Sequence, residues 1–253
     1  MKKNKFNELL GVMYKLRKEC PWDKVQTHNS IKSATMEEAY EVINAIDEKD
    51  FGELKGELGD LLLHIVFHSV IAEEEGHFTI DEVIEGITSK LIRRHTHIFG
   101  DVEVKNNSEI ERNWETIKLE EEGRESILDG VPPNMPGLHR AFRLQQKASK
   151  VGFDWTNKEK VWEKVTEEIS ELKEAEKKND FDEIENELGD LFFSLINYSR
   201  FLDVNPENAL RKSTNKFVKR FHYIEEKLKE SGRKITDSNL EEMDKFWEES
   251  KSI

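Results

Sequence analysis

The chain has 253 residues, enough for two domains of modest size, and its formal net charge is −14. So acidic a protein has no broad positive field, which argues against nucleic acid as its main partner. A single cysteine, Cys20, excludes an internal disulfide framework and fits a reducing cytoplasm. No apolar run approaches the roughly 18 residues of a membrane span, so neither a span nor a signal peptide is predicted.

The predicted elements are helices, and the clearest of them form two pairs. Residues 30–48 and 51–75 make the first pair, and residues 160–179 and 181–202 make the second. Apolar residues recur at helical spacing in these segments, none contains proline, and Asp50 is a typical N-cap. Because the turns around Asp47 to Asp50 and Lys177 to Asp180 are so short, each pair is predicted to be an antiparallel hairpin. An all-α fold follows.

Each predicted hairpin has too few apolar positions to bury a core by itself. Hydrophobic residues make up only 36% of the chain, a low fraction that long charged helices account for. Hairpins of this kind are stabilised by pairing into four-helix bundles. We therefore expect the hairpins to pair, most directly through homodimerisation.

A pattern of five carboxylates occurs twice with identical internal spacing. Glu37, Glu38, Glu41, Glu57 and Asp60 recur 130 residues later as Glu167, Glu168, Glu171, Glu187 and Asp190. Acidic residues that serve only solubility need no fixed spacing. The exact repeat therefore indicates that the relative positions of these carboxylates matter.

Folding each hairpin about its midpoint brings the acids opposite one another. Glu41 and Glu57 both lie eight residues from Lys49, and Glu38 and Asp60 both lie eleven residues from it. With a rise of about 1.5 Å per residue, such partners sit at matching heights on facing helices. The same relation holds about Asn179 in the second copy. Four carboxylates are therefore predicted to converge in each hairpin.

Converging carboxylates repel one another unless a proton or a cation neutralises them. Oxygen-only ligands favour Mg²⁺, Mn²⁺ or Ca²⁺ over zinc. The alternative is a solvated acidic face on each helix, which the matched repeat disfavours. Glu37 and Glu167 lie off the strict pairing, so they either support the neighbouring acids or simply face solvent.

Glycine and proline mark a boundary between the halves. Three of the five prolines and three glycines lie within residues 123–137. We therefore predict domains at residues 1–122 and 138–253 with a linker between them. A charged helix over residues 109–122, carrying Trp114 and Lys118, is predicted before the linker.

A basic helix follows each acidic hairpin. In the second copy, Lys212, Lys216 and Arg220 recur every four residues and so lie near one face, with Asn215 beside them. Such charges are usually ordinary surface residues. After an acidic metal site, however, a basic face supplies the charge neutralisation that phosphate chemistry requires.

The combination of motifs resembles the MazG family of nucleoside triphosphate pyrophosphohydrolases. The resemblance extends from about residue 6 to residue 249. Besides the acidic repeats, it rests on the stretch from Cys20 to His28, the run from Glu57 to Leu62, the segment from Arg93 to Phe99 and the run from Val151 to Trp155. The EExxE motif, formed by Glu37, Glu38 and Glu41 in the first copy, would be a weak signal alone. The combination of motifs is specific.

The resemblance implies a function and a division of labour between the copies. It implies two tandem all-α domains, a homodimer, and hydrolysis of NTPs and dNTPs, ATP among them, to nucleoside monophosphate and pyrophosphate with broad base specificity. It also implies that the C-terminal copy carries hydrolysis, while the N-terminal copy is mainly structural or regulatory. Two alternatives stay open, a non-hydrolytic nucleotide or metal sensor and a helical interaction protein.

Roles for individual residues follow from the resemblance together with the chemistry. Mg²⁺, or Mn²⁺, is expected on Glu168, Glu171, Glu187 and Asp190, with a second candidate site at Glu38, Glu41, Glu57 and Asp60. Glu167 or Glu168 is the candidate general base, and Glu171 is assigned to catalysis. The expected substrate-binding residues are Lys118, Lys212, Asn215, Lys216, Arg220 and Trp247.

Two histidines of the first copy have no match in the second. His64 and His68 form a helical row with Asp60 that could bind a transition metal, but Ser194 and Tyr198 take their places in the second copy. A feature absent from one copy cannot be essential to shared chemistry. We therefore predict that both are partly buried polar residues.

Overall fold

The computed structural model describes residues 4–101 and 126–252, and chain contacts divide the protein into two compact units, Met1–Trp114 and Glu115–Ile253. All regular elements in these two described ranges are helices, as predicted. Trp114, Lys118 and the helix predicted over residues 109–122 lie outside the described residues. The predicted linker is described from residue 126, and the domain bounds 1–122 and 138–253 stay a prediction.

The first unit contains five α-helices in its described part. They are α1 (Lys5–Glu19), α2 (His28–Glu48), α3 (Phe51–Glu74), α4 (Ile80–Arg94) and the short α5 (Thr96–Phe99), with a 3₁₀ turn at Asp23–Val25. Helix α3 packs against α1, α2 and α4. It is therefore the central helix of this unit.

The second unit repeats the hairpin within a different set of neighbours. Its helices are α6 (Gly137–Lys150), α7 (Lys158–Lys178), α8 (Phe181–Phe201), α9 (Pro206–Glu230) and α10 (Leu240–Glu249), with 3₁₀ turns at Ile235–Asp237 and Ser250–Ser252. Helix α8 packs against α7 and α6, and α9 packs against α6 and α10. The two predicted hairpins correspond to α2 with α3 and to α7 with α8.

Local capping explains why the hairpin turns are so tight. Lys49 and Asn179, the two predicted midpoints, adopt left-handed backbone with φ of 57° and 54° and end the first helix of each pair. The next residues, Asp50 and Asp180, cap the following helix by accepting backbone N–H hydrogen bonds. A left-handed residue followed at once by an N-cap reverses the chain within two residues.

The core of the first unit lies where α1, α2 and α3 meet. Its buried residues are Met13, Ile31, Val66, Phe67, Val70 and Ile71. Beside it, the buried guanidinium of Arg17 pairs with Glu74 and donates to the backbone carbonyls of Asp23 and Gln26, the latter at 2.9 Å. This network joins the 3₁₀ turn to the end of α3, a long-range link that residue spacing could not reveal.

In the described residues, no helix is both long enough and apolar enough to cross a membrane.

Candidate metal centre

The second hairpin brings three of its predicted ligands together. Oxygens of Glu168 and Glu171 on α7 and of Glu187 on α8 all lie within 4.8 Å of one another. Glu168 is 4% exposed, whereas Glu171 is open to solvent. Three carboxylates at this separation can share one cation through their oxygens.

The remaining two acids of this copy lie at the edge of the triad. Asp190 follows Glu187 by one turn of α8 and stands outside the 4.8 Å group found among the described residues. Glu167 is exposed and pairs with Lys164 at 3.0 Å. Counting residues from the hairpin midpoint therefore predicted the meeting of Glu168, Glu171 and Glu187, but Asp190 lies outside their group.

The first hairpin repeats the triad. Oxygens of Glu38, Glu41 and Glu57 lie within 4.8 Å of one another. Asp60 is near enough that its charge helps to raise the pKa of Glu38 and of Glu57. All four acids predicted for this copy thus interact.

Desolvation and mutual repulsion within both triads raise the pKa of three of their members. Partial loss of hydration raises the pKa of Glu38, Glu57 and Glu171, and neighbouring carboxylates raise it further. A divalent cation would relieve both effects, because it offsets the desolvation and turns mutual repulsion into shared attraction. The donor set therefore fits the hard, oxygen-seeking ion that the sequence predicts.

A lysine that the sequence analysis missed contacts the second triad. Lys164 Nζ lies 2.7 Å from Glu168 and 3.0 Å from Glu167, and these hydrogen bonds raise the pKa of Lys164. The contact compensates the buried charge of Glu168. The available signal was the spacing of three and four residues along one helix. The matching position in the first copy is Ala34, so the two copies differ here.

The predicted substrate-binding residues of the second copy lie on α9 and α10. Lys212 and Lys216 are exposed, Asn215 and Arg220 are half-buried, and all four lie on α9. The Arg220 guanidinium lies 5.4 Å from the Trp247 ring centroid.

Trp247 also packs on Phe217, with ring centroids 5.3 Å apart. Arg220 and Trp247, both predicted to bind substrate, are therefore in contact. Trp247 also has a packing role through Phe217. Lys118 lies outside the described residues.

The histidines of the first copy form a connected group next to its triad. His64 and His68 are half-buried, as predicted, and both contact Thr35 Oγ1. His64 Nε2 lies 3.8 Å from Glu38 Oε1. The partner of His64 is therefore Glu38 across the hairpin, whereas the helical spacing had pointed to Asp60.

Comparisons with known proteins agree with this architecture. The MazG nucleotide pyrophosphohydrolase domain matches residues 26–99 and 156–224, so it occurs twice and includes both hairpins.

Full-length relatives extend the similarity beyond the hairpins. The chain is 48% identical to the nucleoside triphosphate pyrophosphohydrolase/pyrophosphatase MazG of Thermotoga maritima, over 97% of this chain and 95% of that protein. It is 41% identical to the nucleoside triphosphate pyrophosphohydrolase of Escherichia coli K12, over 98% and 97%.

A third relative is longer than this chain. The uncharacterized protein YabN of Bacillus subtilis is 45% identical over 98% of this chain, which spans 52% of that protein. Two matched domains and two relatives aligned over nearly their whole length leave one assignment: the chain belongs to the MazG nucleotide pyrophosphohydrolase family and carries two tandem copies of its domain.

Proposed function

We propose that this protein is an enzyme that hydrolyses nucleoside triphosphates, both ribo- and deoxyribonucleotides, to nucleoside monophosphate and pyrophosphate. The observation that carries the proposal is the triad of Glu168, Glu171 and Glu187 within 4.8 Å, followed in the same unit by a basic helix. The names of the Thermotoga maritima and Escherichia coli relatives support the same reaction.

The second copy is the proposed catalytic one. Glu168, Glu171 and Glu187, with Asp190 one turn further on, would hold Mg²⁺ or Mn²⁺. When bound, such an ion would offset the negative charge of the phosphates and lower the pKa of a water molecule. The chain's own acids supply the ligands, while Lys212, Lys216 and Arg220 on α9 offer positive charge for the triphosphate.

A proton acceptor is required for attack of water on the α-phosphorus. Glu167 is exposed and forms a solvent-accessible ion pair with Lys164. Its carboxylate is therefore accessible to accept a proton. Glu168 is buried against the same lysine and belongs to the triad, which suits a ligand better than a base. Of the two predicted candidates, we therefore favour Glu167.

Base recognition is proposed to be broad. Trp247 is half-buried beside Arg220, and a flat ring with a cation over it can stack any nucleobase. Stacking provides affinity without reading hydrogen-bond donors and acceptors, so it does not discriminate among bases.

A homodimer is proposed because apolar residues at matching positions of the two copies are exposed to solvent in the single chain. They are Leu58, Leu62 and Ile65 on α3 and Leu188, Phe192 and Leu195 on α8, all between 38% and 53% exposed. Each set follows the i, i+4, i+7 spacing of a helix face that packs on another helix. Bundling with a second copy would remove this surface from water. Light scattering should give a dimer mass, and Phe192→Asp with Leu195→Asp should give a monomer.

Product analysis tests the proposed reaction. The full chain is incubated with each of the common NTPs and dNTPs, with Mg²⁺ or with excess chelator, and the nucleotide products and pyrophosphate are separated. We expect monophosphate and pyrophosphate with every base, and loss of both with chelator. Binding without turnover would favour a sensor, neither binding nor turnover a helical interaction protein. Diphosphate with inorganic phosphate would contradict attack at the α-phosphorus.

A further inference from the structure

Two histidine rings join the start of α2 to α3. His28, the first residue of α2, has its Nδ1 atom 2.8 Å from Nδ1 of His68, a normal hydrogen-bond distance. The two ring planes differ by only 7°, and the ring centroids are 5.1 Å apart. Because the centroids are much farther apart than the nitrogens, the rings meet through these nitrogens rather than through their faces.

The contact between the two nitrogens requires exactly one hydrogen between them. In a hydrogen bond between two imidazoles, one nitrogen carries the hydrogen and the other offers its lone pair. A neutral pair satisfies this condition, and so does a pair that has gained one proton. When both rings are protonated, each Nδ1 carries a hydrogen, and two N–H groups cannot bond to each other. The second proton therefore breaks the contact.

His68 is the ring that resists protonation. Its Nε2 atom lies 3.1 Å from Thr35 Oγ1 on α2. Burial lowers the pKa of His68, and the neighbouring His28 and His64 lower it further. A first added proton can be held by His28, whose side chain is 42% exposed and whose Nε2 lies 4.0 Å from Glu75 Oε2. Protonation of His68 is then the step that opens the contact.

Charged groups reach this region from every element that packs around it. Besides His64, they are Tyr14 and Arg17 on α1, Asp23 in the 3₁₀ turn, Glu73, Glu74 and Glu75 on α3, His77 after α3 and Asp81 on α4. Glu73 hydrogen-bonds with Tyr14 and Glu74 pairs with Arg17, whereas Glu75 lies beside His28. Carboxyl, tyrosine and arginine side chains ordinarily titrate well outside the range between about pH 5.5 and about pH 7.5, in which histidine changes charge.

The second copy has no histidine at the corresponding positions. Lys158 and Tyr198 take the places of His28 and His68, and Val165 takes the place of Thr35. Tyr198 packs against Trp162, with the ring centroids 4.9 Å apart. A tyrosine and a tryptophan do not change charge near neutral pH. The two hairpins therefore have different responses to acid built into the same place.

We propose that the His28–His68 contact is a pH-sensitive switch, which holds the start of α2 against α3 at neutral pH and releases it on acidification. Because the pKa of His68 in the folded protein lies below its ordinary value of 6.5, the stabilisation is fully present above pH 6.5. It is lost as pH falls below 6.5 toward the folded-state pKa. The switch concerns the first unit and does not depend on the proposed hydrolysis.

Hydrogen exchange of the full chain, measured by mass spectrometry in excess chelator, tests the switch. Protection factors corrected for intrinsic exchange are compared at about pH 7.5 and about pH 5.5. Protection of residues 28–36 should fall about three- to tenfold at the lower pH, since one pH unit below the ordinary histidine value corresponds to at most about tenfold. Residues 158–166, the equivalent segment, should change less than about 1.5-fold. Acid relieves the repulsion within the triads, so their effect on protection has the opposite sign.

Two variants assign the response to the histidine pair. His68→Tyr installs the residue of the second copy and should abolish the loss of protection on acidification. His222→Gln, at an exposed histidine on α9, is the matched control and should leave the loss unchanged. Unchanged protection of residues 28–36 at the lower pH in the unsubstituted protein overturns the proposal. An equal loss in residues 158–166, or a loss that persists in His68→Tyr, overturns it as well.

A titration of the unsubstituted protein provides a readout that needs no variant to fold. Nitrogen-15 NMR of the histidine rings, with His68 assigned through bonds to its backbone, follows protonation of each ring. We expect a midpoint for His68 below pH 6.5, with loss of the bond to His28 at the same pH. A midpoint at or above pH 6.5 overturns the switch. Failure of nucleotide hydrolysis would leave this result and the exchange data unaffected.

Discussion

Lys164 Nζ lies 2.7 Å from the carboxylate of Glu168, a residue only 4% exposed at the centre of the second acid triad. The acidic repeat therefore has an internal cation in one copy, and Ala34 occupies the same position in the other. The two hairpins share their carboxylates and differ in how those carboxylates are neutralised.

Removing the lysine should destabilise the metal-free protein. Lys164→Met leaves Glu168 buried without its cation, and we expect a loss of about 1–2 kcal/mol, less than for a fully buried pair because Lys164 is partly exposed. Urea denaturation in chelator measures this loss, and Mg²⁺ should restore most of it. Lys160→Met removes an exposed pair with Glu163 on the same helix and should cost at most about 0.5 kcal/mol. Equal losses in the two variants would contradict the role of burial.

Neutralising one acid in each triad separates the two halves by activity. Glu171→Gln should lower the rate of pyrophosphate release by at least about 100-fold. Loss of a residue that only hydrogen-bonds to a metal ligand typically costs less, about 10- to 100-fold. Glu41→Gln, the same change at the equivalent position, should lower it far less. Release of pyrophosphate from ATP is measured for both. Full activity in the Glu171 variant would place catalysis elsewhere.

Without metal, repulsion within the triads should destabilise the protein relative to a variant that lacks these charges. This difference should decrease as pH falls. A carboxyl whose pKa is raised by folding destabilises the fold above that pKa, and the penalty vanishes as pH falls to the unfolded value. The pKa of Glu38, Glu57 and Glu171 is raised from 4.5.

The stability advantage of a triple glutamine variant at those positions should therefore be largest at neutral pH and shrink toward pH 4.5. Denaturation in chelator at several pH values measures it. An advantage that grows on acidification would contradict the repulsion. With saturating Mg²⁺, the unsubstituted protein should instead lose stability on acidification, because protons compete for the ligands.

The hairpin turns offer a matched test of backbone strain. Lys49 is a non-glycine residue in left-handed backbone, and Lys49→Gly should stabilise the protein by about 0.5–1 kcal/mol once the added chain entropy is counted. Asn179 has nearly the same φ, but asparagine tolerates it, so Asn179→Gly should change stability by only about 0.3 kcal/mol. Thermal or urea unfolding decides. Equal gains at both positions would show that residue type is unimportant here.

Trp247 is expected to bind substrate as well as to pack on Phe217. Trp247→Ala should raise KM about tenfold or more for every NTP, since base stacking contributes about 1–3 kcal/mol whatever the base. Trp247→Phe keeps a ring and should recover part of the affinity. Trp162 packs against Tyr198 in the same unit with the two rings tilted, and Trp162→Phe serves as a control with no expected effect on KM. An unchanged KM in Trp247→Ala would restrict this residue to packing.

Much of this protein is determined by relations within short stretches of sequence. Helical periodicity and the two-residue turns at Lys49 and Asn179 specify the hairpins, and the spacing of the acids then specifies which carboxylates meet. These are consequences of a fixed rise per residue, so counting along the chain was sufficient.

Tertiary structure decided what surrounds those carboxylates. His64 turns to Glu38 on the facing helix, and Arg17 closes on Glu74, 57 residues away, because burial leaves each polar group with few partners within reach. Such pairings depend on packing angles and rotamers that no periodicity records. The sequence thus determined that there are two acid clusters, whereas only the packed structure decided that a histidine lies beside Glu38 in one and that a lysine pairs with Glu168 in the other.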